Sequence, residues 1–418
     1  MPSPRHDHLR LGRTTAVAVA LTLAFGAAAV ADDGGQGRGH GRDEPRLLGR
    51  AVLPVETYSD GPPAGLGLVP AGQDEIVIRG IRFPTPSQPV EGLSAIVEGH
   101  RRGEWLAMAD NGFGNKANSF DFRIRAYFLR PDFKTARDGS GDVEVLDYIE
   151  FSDPDALIGF PIINETTDRV LTGADIDPES LQRGRNGDLW VGDEFGPWIL
   201  HFDASGRLLA PPISLPDGLD AAANPKNDGD ININPSRGIE AMAMTPNGRY
   251  LYVVLEGAVI GDAPASRRVY EYDTRRGVFA RLPDYRTEVA GHFIADAQAA
   301  DRRHVLVIER DGGRGLAALF RRVYEVDLHK VDANGNLIKT EVVDLAAIPD
   351  PNGVSLPPIH DGDVGLGDPF RVTCESVEAL RIISGSRLLV GCDNNLPNDG
   401  RNPALADDNE LIVVGLGR

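Results

Sequence analysis

The chain has 418 residues and a formal net charge of −19, from 62 Asp and Glu against 43 Lys and Arg. Such an acidic surface repels nucleic acid and anionic lipid, so neither is an expected partner. The Gly-x-Ser-x-Gly elbow, the His-Glu-x-x-His zinc motif, the Walker loop and the dinucleotide fingerprint are absent from the sequence. Chemistry in this chain is therefore expected from carboxylates, amides and arginines.

The N-terminal residues carry the pattern of a secretory signal. Residues 1–31 contain three arginines and then an apolar run that ends in small residues, which predicts cleavage before Asp32. An uncleaved anchor is the alternative. The Gly-rich, charged residues 32–46 predict a flexible tether, and residues 47–418 are expected to form a single domain. We expect an exported protein, periplasmic or secreted, with no membrane contact after cleavage.

Short apolar runs between Gly and Pro turns recur through the rest of the chain and predict β-strands. In chain order they are 51–58, 76–83, 123–129, 143–151, 251–255, 305–308, 341–345 and 411–415. No segment after the signal sustains a long helical period. The first and last of these strands are expected to share one sheet.

The stretch 179–203 has a pattern that the chain repeats. Glu179 opens a short strand, a Gly-containing turn follows, and a second, apolar strand ends in Asp193 and Glu194 before a third strand. In a hairpin the opening and closing acids lie at the same end. Strong copies open at Glu240 and Glu378, and weaker copies open at Glu91 and Asp296.

Five copies of a small antiparallel sheet predict a radial repeat, because a lone sheet cannot bury both of its faces. The predicted fold is therefore an all-β β-propeller. We expect six blades, the sixth assembled from less regular strands.

The strand-end acids and amides are expected to converge at the mouth of one channel. So many converging acids could not all stay ionised without cations, and hard oxygen ligands favour a divalent ion, in particular Ca²⁺. The alternative is that these acids only accept hydrogen bonds from backbone amides between blades. The predicted metal ligands are Glu91, Asp110, Glu179, Asp193, Glu240, Glu309, Glu378, Asp393 and Asn394.

A few basic and amide side chains adjoin these acids in the sequence. Arginine presents planar donors that suit phosphate and carboxylate groups, so Arg237 and Arg310 are candidates for substrate contact. Ion pairs with the neighbouring acids are the alternative. Lys116, Asn111 and Arg123 are further candidates for substrate binding.

The only two cysteines, Cys374 and Cys392, lie in the last strong repeat. A disulfide is permitted in an exported protein. Two buried thiols are the alternative, and the sequence leaves both open.

The sequence contains Asp110-Asn111-Gly112-Phe113-Gly114, the run from Gly187 to Pro197, Arg237-Gly238-Ile239-Glu240-Ala241-Met242-Ala243, and Val377-Glu378-Ala379-Leu380 with Asp393-Asn394-Asn395. Together these motifs resemble one family, the esterase-like phytases with a phytase-like domain. The resemblance implies an exported bacterial β-propeller that hydrolyses esters or phosphate monoesters.

The predicted function is metal-assisted hydrolysis of phosphate monoesters or carboxylic esters by a monomer. Glu194 or Glu256 is the expected general base, and Arg237 and Arg310 are expected to stabilise developing negative charge. One alternative is a sugar-lactonase-like propeller that also depends on a divalent ion. Another is a non-catalytic propeller that binds a partner in a calcium-dependent way.

Overall fold

The computed structural model describes residues 44–226 and 229–417. These residues form β-strands and two short 3-10 helices, Leu66–Leu68 and Gly315–Ala317. None of the helices in these ranges combines the length and apolar character of a membrane span. The predicted signal peptide and most of the predicted tether lie outside the described residues.

Five antiparallel four-stranded sheets make up most of the described chain, and we number them as blades 1 to 5. From the innermost strand outwards, blade 1 contains Leu93–Glu98, Trp105–Ala109, Arg125–Pro131 and Val143–Glu150. Blade 2 contains Pro178–Arg183, Leu189–Asp193, Trp198–Phe202 and Ile213–Ser214. Blade 3 contains Ile239–Met244, Tyr250–Leu255, Ser266–Asp273 and Val278–Arg286. Blade 4 contains Phe293–Ala299, His304–Arg310, Arg321–Val331 and Leu337–Asp344. Blade 5 contains Ser376–Ser384, Arg387–Asp393, Asn409–Gly415 and Arg46–Leu53.

The innermost strands contact one another in ring order, and blade 5 contacts blade 1. The fold is therefore an all-β β-propeller, as predicted, but the described residues form five blades and not the expected six. The segment before blade 1 folds into two small hairpins, Tyr58–Ser59 with Gln88–Pro89 and Ile76–Ile78 with Ile81–Phe83. The connection from blade 4 to blade 5, residues 345–375, contains no strand. Contact between the first and last blades leaves no gap for a sixth.

Blade 5 joins strands from the two ends of the described chain. Arg46–Leu53 pairs antiparallel with Asn409–Gly415, which confirms that the first and last predicted strands share a sheet. Cys374 and Cys392 form a disulfide in the same part of the molecule, with their Cα atoms 5.9 Å apart. Of the two alternatives for these cysteines, the structure has the disulfide.

The hydrophobic core lies between neighbouring blades, and the second strand of blade 3 shows why. Side chains alternate along a strand, so Leu251 and Val253 pack in the cluster shared with blade 2. Tyr252 and Val254 pack in the cluster shared with blade 4. Burying one such aliphatic side chain contributes about 1.5 to 3 kcal/mol. Because both faces are covered, these strands are continuously apolar in sequence.

The run 76–83, which the sequence predicts as one strand, is a hairpin in the structure. Arg79 and Gly80 both have positive φ angles, 45° and 91°, and form its two-residue turn. Turns of this kind match the right-handed twist of the paired strands.

Candidate functional site

A β-bulge interrupts the innermost strand of every blade close to its start. In blade 2, Pro178 pairs with Asp193 and Ser180 pairs with Gly192, which leaves Glu179 as the extra residue. A bulge of this kind turns one side chain away from the regular alternation. The equivalent residues in the other blades are Ser94, Glu240, Asp296 and Glu378. We call these five residues the bulge positions.

The ends of the second strands supply the other half of the site. In blade 2 the partner of Pro178 is Asp193, and the next residue is Glu194. In each of the other blades we take the pair of residues just before the bulge and then the next residue on the second strand. These residues are Asp110 in blade 1, Glu256 in blade 3, Arg310 in blade 4 and Asn394 in blade 5. We call these five residues the strand-end positions. The repeating register therefore brings two side chains from each blade to one end of the ring.

Six carboxylates from these positions and the adjoining loop form three overlapping groups, in each of which the ligand oxygens lie within 4.8 Å of one another. We call this set the acidic centre. Glu179 is half-buried, and the other five residues are 5% exposed or less. The groups are Asp177 with Glu179 and Glu194, Glu179 with Glu240 and Glu378, and Glu194 with Glu240 and Glu256.

Two arginines compensate part of this negative charge. Arg310 donates from Nη2 to Glu378 at 2.8 Å and to Glu256 at 3.2 Å, and it lies 3.9 Å from Glu240. Arg237 donates from Nη1 to the other oxygen of Glu256 at 2.6 Å. Glu256 is thus neutralised from two sides and Glu378 from one. Among the described residues, neither arginine forms an ion pair with Asp177, Glu179 or Glu194.

The pKa values follow this distribution of charge. Burial is the main cause that raises the pKa of Glu179, Glu194 and Glu240 well above the usual range, and neighbouring carboxylates raise each further. Burial raises the pKa of Asp177 to about 6, although hydrogen bonds oppose it. Burial also raises the pKa of Glu256, and Arg310 and Arg237 oppose this effect.

The acidic centre fits a divalent cation by the chemistry of its donors. All six side chains offer hard carboxylate oxygens, the ligands that Ca²⁺ and Mg²⁺ prefer. Oδ1 of Asp177 is buried and has no hydrogen-bond partner among the described residues. Buried polar atoms without partners are rare in proteins, so this oxygen calls for a proton or a ligand. Arg310 and Arg237 cannot balance six carboxylates.

A second group of acids and amides lies beside the centre, around Glu91. Burial, with Asp110 and Asp393 nearby, raises the pKa of Glu91 well above its usual range, and the backbone of Leu396 opposes this. Neither oxygen of Glu91 has a well-formed hydrogen bond among the described residues. Asn394 accepts a hydrogen bond from the backbone N–H of Gly92 at 2.9 Å and thereby links blades 5 and 1.

Asp193 and Asp393 occupy the position just before the strand end, and their carboxylates hold loops. Asp193 accepts hydrogen bonds from the backbone N–H groups of Asp177 and Gly196, both at 2.8 Å. Burial raises its pKa to about 7. Asp393 accepts from the backbone N–H of Asn395 at 2.7 Å.

Glu309, a predicted metal ligand, lies outside the acidic centre. Glu309 pairs with Ile294 just before the bulge of blade 4, as Asp193 pairs with Pro178 in blade 2. The next residue, Arg310, therefore takes the strand-end position. Both oxygens of Glu309 already have protein partners. The donors are Tyr285 Oη at 2.8 Å, the backbone N–H of Glu288 at 2.7 Å, His292 Nδ1 at 2.8 Å and Lys339 Nζ at 2.6 Å.

The three predicted substrate-binding residues have different surroundings. Lys116 lies near the centre: its Nζ donates to the backbone carbonyl of Ala223 at 2.5 Å and stands over the ring of Phe195. Burial lowers its pKa, against the opposing effect of nearby acids. Asn111 accepts from the N–H of Gly114 at 3.0 Å, and its proximity lowers the pKa of Asp177.

Arg123 lies apart from the centre and pairs with Glu150 at 3.1 Å. The sequence prediction omitted Asp177 from the site. It stands two residues before Glu179, and an acid at this spacing from the bulge position is the signal that could have identified it.

These features define the protein as a five-bladed β-propeller with a buried carboxylate cluster at one end of its ring. Residues 88–396 match the model of the phytase-like family, described as having the esterase-like activity of phytase. The chain therefore belongs to the phytase-like family, as its motifs indicated.

An uncharacterized secreted protein of Arthroderma benhamiae is 29% identical over a short alignment. That alignment covers 23% of this chain and 24% of the relative, so it spans about a quarter of the relative's length.

Solved propeller structures share a lower sequence identity with this chain than the secreted relative does. The periplasmic gluconolactonase PpgL of Pseudomonas aeruginosa is 14% identical, with 88% of this chain and 99% of that chain covered and a TM-score of 0.35. The aldose sugar dehydrogenase of Streptomyces coelicolor, solved with PQQ, is 10% identical, with 89% and 99% covered and a TM-score of 0.34. Both TM-scores are below 0.5, so neither similarity bears on the function of this chain.

Proposed function

We propose that the protein is an exported hydrolase of phosphate monoesters or carboxylic esters that works with a divalent cation, Ca²⁺ in the first instance. The observation that carries the proposal is the excess of buried carboxylates over arginines in the acidic centre. Membership of a family described by esterase-like activity of phytase supports the choice of ester bonds.

The residues suited to hold the cation are those whose charge the arginines compensate least. Asp177, Glu179 and Glu240 belong to the groups of closely placed oxygens and have raised pKa values. Glu378 adds an oxygen to the group of Glu179 and Glu240. When bound, a divalent cation polarises a phosphoryl or carbonyl oxygen and lowers the pKa of a coordinated water.

Glu194 is the better of the two predicted general bases. It accepts one hydrogen bond, from the backbone N–H of Gly238 at 2.9 Å, which orients its carboxylate. Burial, with Glu256 and Asp177 nearby, raises the pKa of Glu194, and a carboxylate with a raised pKa is a stronger base. Glu256 instead pairs with Arg237 and Arg310, so we assign it the role of holding the two guanidinium groups in place.

The arginines are placed to meet the substrate's negative charge. The side chain of Arg237 is 32% exposed and packs over the ring of Phe293, so it reaches solvent beside the acidic centre. Arg310 is buried and contacts three carboxylates. We assign Arg237 to substrate contact, with Lys116 and Asn111 as further contacts, and Arg310 to stabilising charge inside the centre.

A non-catalytic binding propeller is the second candidate. It is favoured by the enclosure of the centre, where five of the six acids are 5% exposed or less and Arg310 already lies among three of them. In that case the cation would be structural and an exposed surface would bind a partner.

Export is part of the proposal. The signal-like sequence of residues 1–31 supports it, and so does the secreted relative from Arthroderma benhamiae. The expected substrate is a small molecule, the expected state is a monomer, and nucleic acid is not an expected partner of so acidic a chain.

The test combines metal analysis with a substrate panel. Mature protein is assayed with phytate, p-nitrophenyl phosphate, p-nitrophenyl acetate and gluconolactone before and after chelation, and again with added Ca²⁺. Loss of turnover on chelation, its recovery with Ca²⁺, and a fall of at least about 100-fold in Glu194→Gln would support the hydrolase. The matched control is Glu165→Gln, which changes an exposed acid. Bound metal without turnover of any substrate would instead favour the binding propeller.

A further inference from the structure

A cavity of about 250 Å³ lies where the innermost strands end, away from the bulge positions. Arg183 is the last residue of the innermost strand of blade 2, and Glu98 is the last of blade 1. The acidic centre is built where these strands begin. The two sites therefore occupy opposite ends of the innermost strands.

The charge of this cavity is opposite to that of the whole chain. Three arginines line it, Arg183, Arg185 and Arg381, with one acid, Glu98. Glu98 is 3.5 Å from Arg381, but its side chain is 67% exposed, so water weakens its compensation of the arginine. The buried Asp296 also attracts Arg381, so three arginines stand against two acids in this part of a protein whose net charge is −19.

Two of these arginines have donors without partners. The Nε atoms of Arg183 and Arg381 are buried, and neither has a hydrogen-bond partner among the described residues. Arg381 as a whole is only 5% exposed. Buried donors are usually paired in folded proteins, so Arg183 and Arg381 both retain unused hydrogen-bonding capacity beside this cavity.

Neighbouring amides fix the guanidinium group of Arg381. It donates to the side-chain oxygens of Gln298 and Gln182. Gln182 is itself held, because it donates to the carbonyl of Met242 at 2.7 Å and accepts from the N–H of Met244 at 3.2 Å. Burial lowers the pKa of Arg183, Glu98 opposes this effect, and the proximity of Arg381 lowers the pKa further.

We propose that this cavity binds a small oxyanion, a phosphate or a carboxylate group, through Arg183 and Arg381. Guanidinium groups bind both kinds of anion by charge-assisted hydrogen bonds, which satisfy donors and reduce the repulsion between the arginines. The proposal does not depend on hydrolysis at the acidic centre.

The test is calorimetric titration of the full mature chain at low ionic strength, after chelation and dialysis so that no cation remains at the acidic centre. Inorganic phosphate and acetate are titrated separately to distinguish the two sources of oxyanion. We expect saturable binding of at least one, weakened about tenfold or more in Arg183→Gln and in Arg381→Gln. Arg183→Gln alters a half-buried side chain and keeps the test valid if Arg381→Gln fails to fold.

Two control variants separate binding in this cavity from a general effect of charge and from binding at the acidic centre. Arg275→Gln removes the same charge from an exposed position and should leave the affinity unchanged. Glu194→Gln alters the acidic centre and should also leave it unchanged. Absence of saturable binding of both anions to the native chain, or equal weakening by Arg275→Gln and Arg183→Gln, would overturn the proposal.

Discussion

Glu309 and Glu194 are both buried glutamates at the ends of second strands, yet their surroundings differ in kind. Glu309 is fully buried and is matched by four donors, including Lys339 and His292. Glu194 is 5% exposed, accepts one backbone hydrogen bond and faces further carboxylates. Folding alone completes the first arrangement. The second requires protons or a cation, as expected for the acid that we propose as the general base.

Removing Glu309 should have the largest effect on stability. Glu309→Ala removes the buried carboxylate that pairs with His292 and Lys339 and leaves Lys339 only the exposed Glu288 as an ion-pair partner, which we expect to lower the free energy of unfolding by about 3 to 5 kcal/mol. In metal-free protein, Glu240→Gln should be neutral or stabilising, because it removes repulsion within the acidic centre. Denaturant unfolding of both variants measures the contrast. Equal destabilisation would show that the two acids do not differ in this way.

Cation binding should give the second-largest effect on stability, and this effect should depend on the acidic centre. Ca²⁺ at 100 times its dissociation constant should stabilise the native chain by about 2.7 kcal/mol. Glu179→Gln should abolish most of this gain, because it removes a carboxylate shared by two of the three groups. Thermal unfolding with and without Ca²⁺ measures the gain, and Glu165→Gln is the control. An unchanged gain in Glu179→Gln would place the cation elsewhere.

The pH dependence of the metal-free protein follows from the raised pKa values. Asp177 has a pKa of about 6 and Asp193 of about 7, both above the usual Asp range near 4, so the folded state binds more protons than the unfolded state between these limits. Stability should therefore fall as the pH rises from 4 to 7, by at least about 1 kcal/mol.

Denaturant midpoints at pH 5, 6, 7 and 8 measure this trend. Saturating Ca²⁺ should reduce or reverse it, because cation binding requires deprotonated ligands and strengthens as the pH rises. Stability that rises with pH in the absence of metal would contradict the assignment of raised pKa values.

The smallest effect is expected at Arg123, a predicted substrate contact that the structure places apart from the centre. Its side chain is 32% exposed and pairs with Glu150, which Arg125 also contacts. Arg123→Gln should cost less than about 1 kcal/mol and leave kcat and KM within about twofold. Steady-state kinetics beside Arg237→Gln, where KM should rise, provide the check. A similar rise in Arg123→Gln would restore its predicted role.

The repeat of acids around short strands was enough to predict the propeller and most of the site. Glu179, Glu240 and Glu378 were predicted together because hairpin pairing fixes which strand ends meet. The distinction between Glu309 and Arg310 could not be made from sequence. Arg310, and not Glu309, takes the strand-end position of blade 4 because Glu309 is still paired with Ile294. A shift of one residue along a strand turns the side chain to the other face of the sheet.

Blade number was harder to predict because it depends on how the irregular segments pack. The run 76–83 has the composition of a blade strand, but its turn at Arg79 and Gly80 folds it into a separate hairpin. The hydrogen-bond partners of Glu309 could not be predicted from the sequence either, since Tyr285 and Lys339 come from the outermost strands of blades 3 and 4.

The pairing of Arg46–Leu53 with Asn409–Gly415 has a consequence for biosynthesis. Arg46–Leu53 is synthesised first, and its partner strand lies more than 350 residues later in the chain. The two strands can pair only after the later one has been made. A nascent chain therefore cannot close its ring while it emerges from the ribosome, and a translocation channel that accepts only unfolded polypeptide would receive it in a suitable state. For the same reason, a fragment that lacks either strand would leave the ring open and expose an unpaired sheet edge to aggregation.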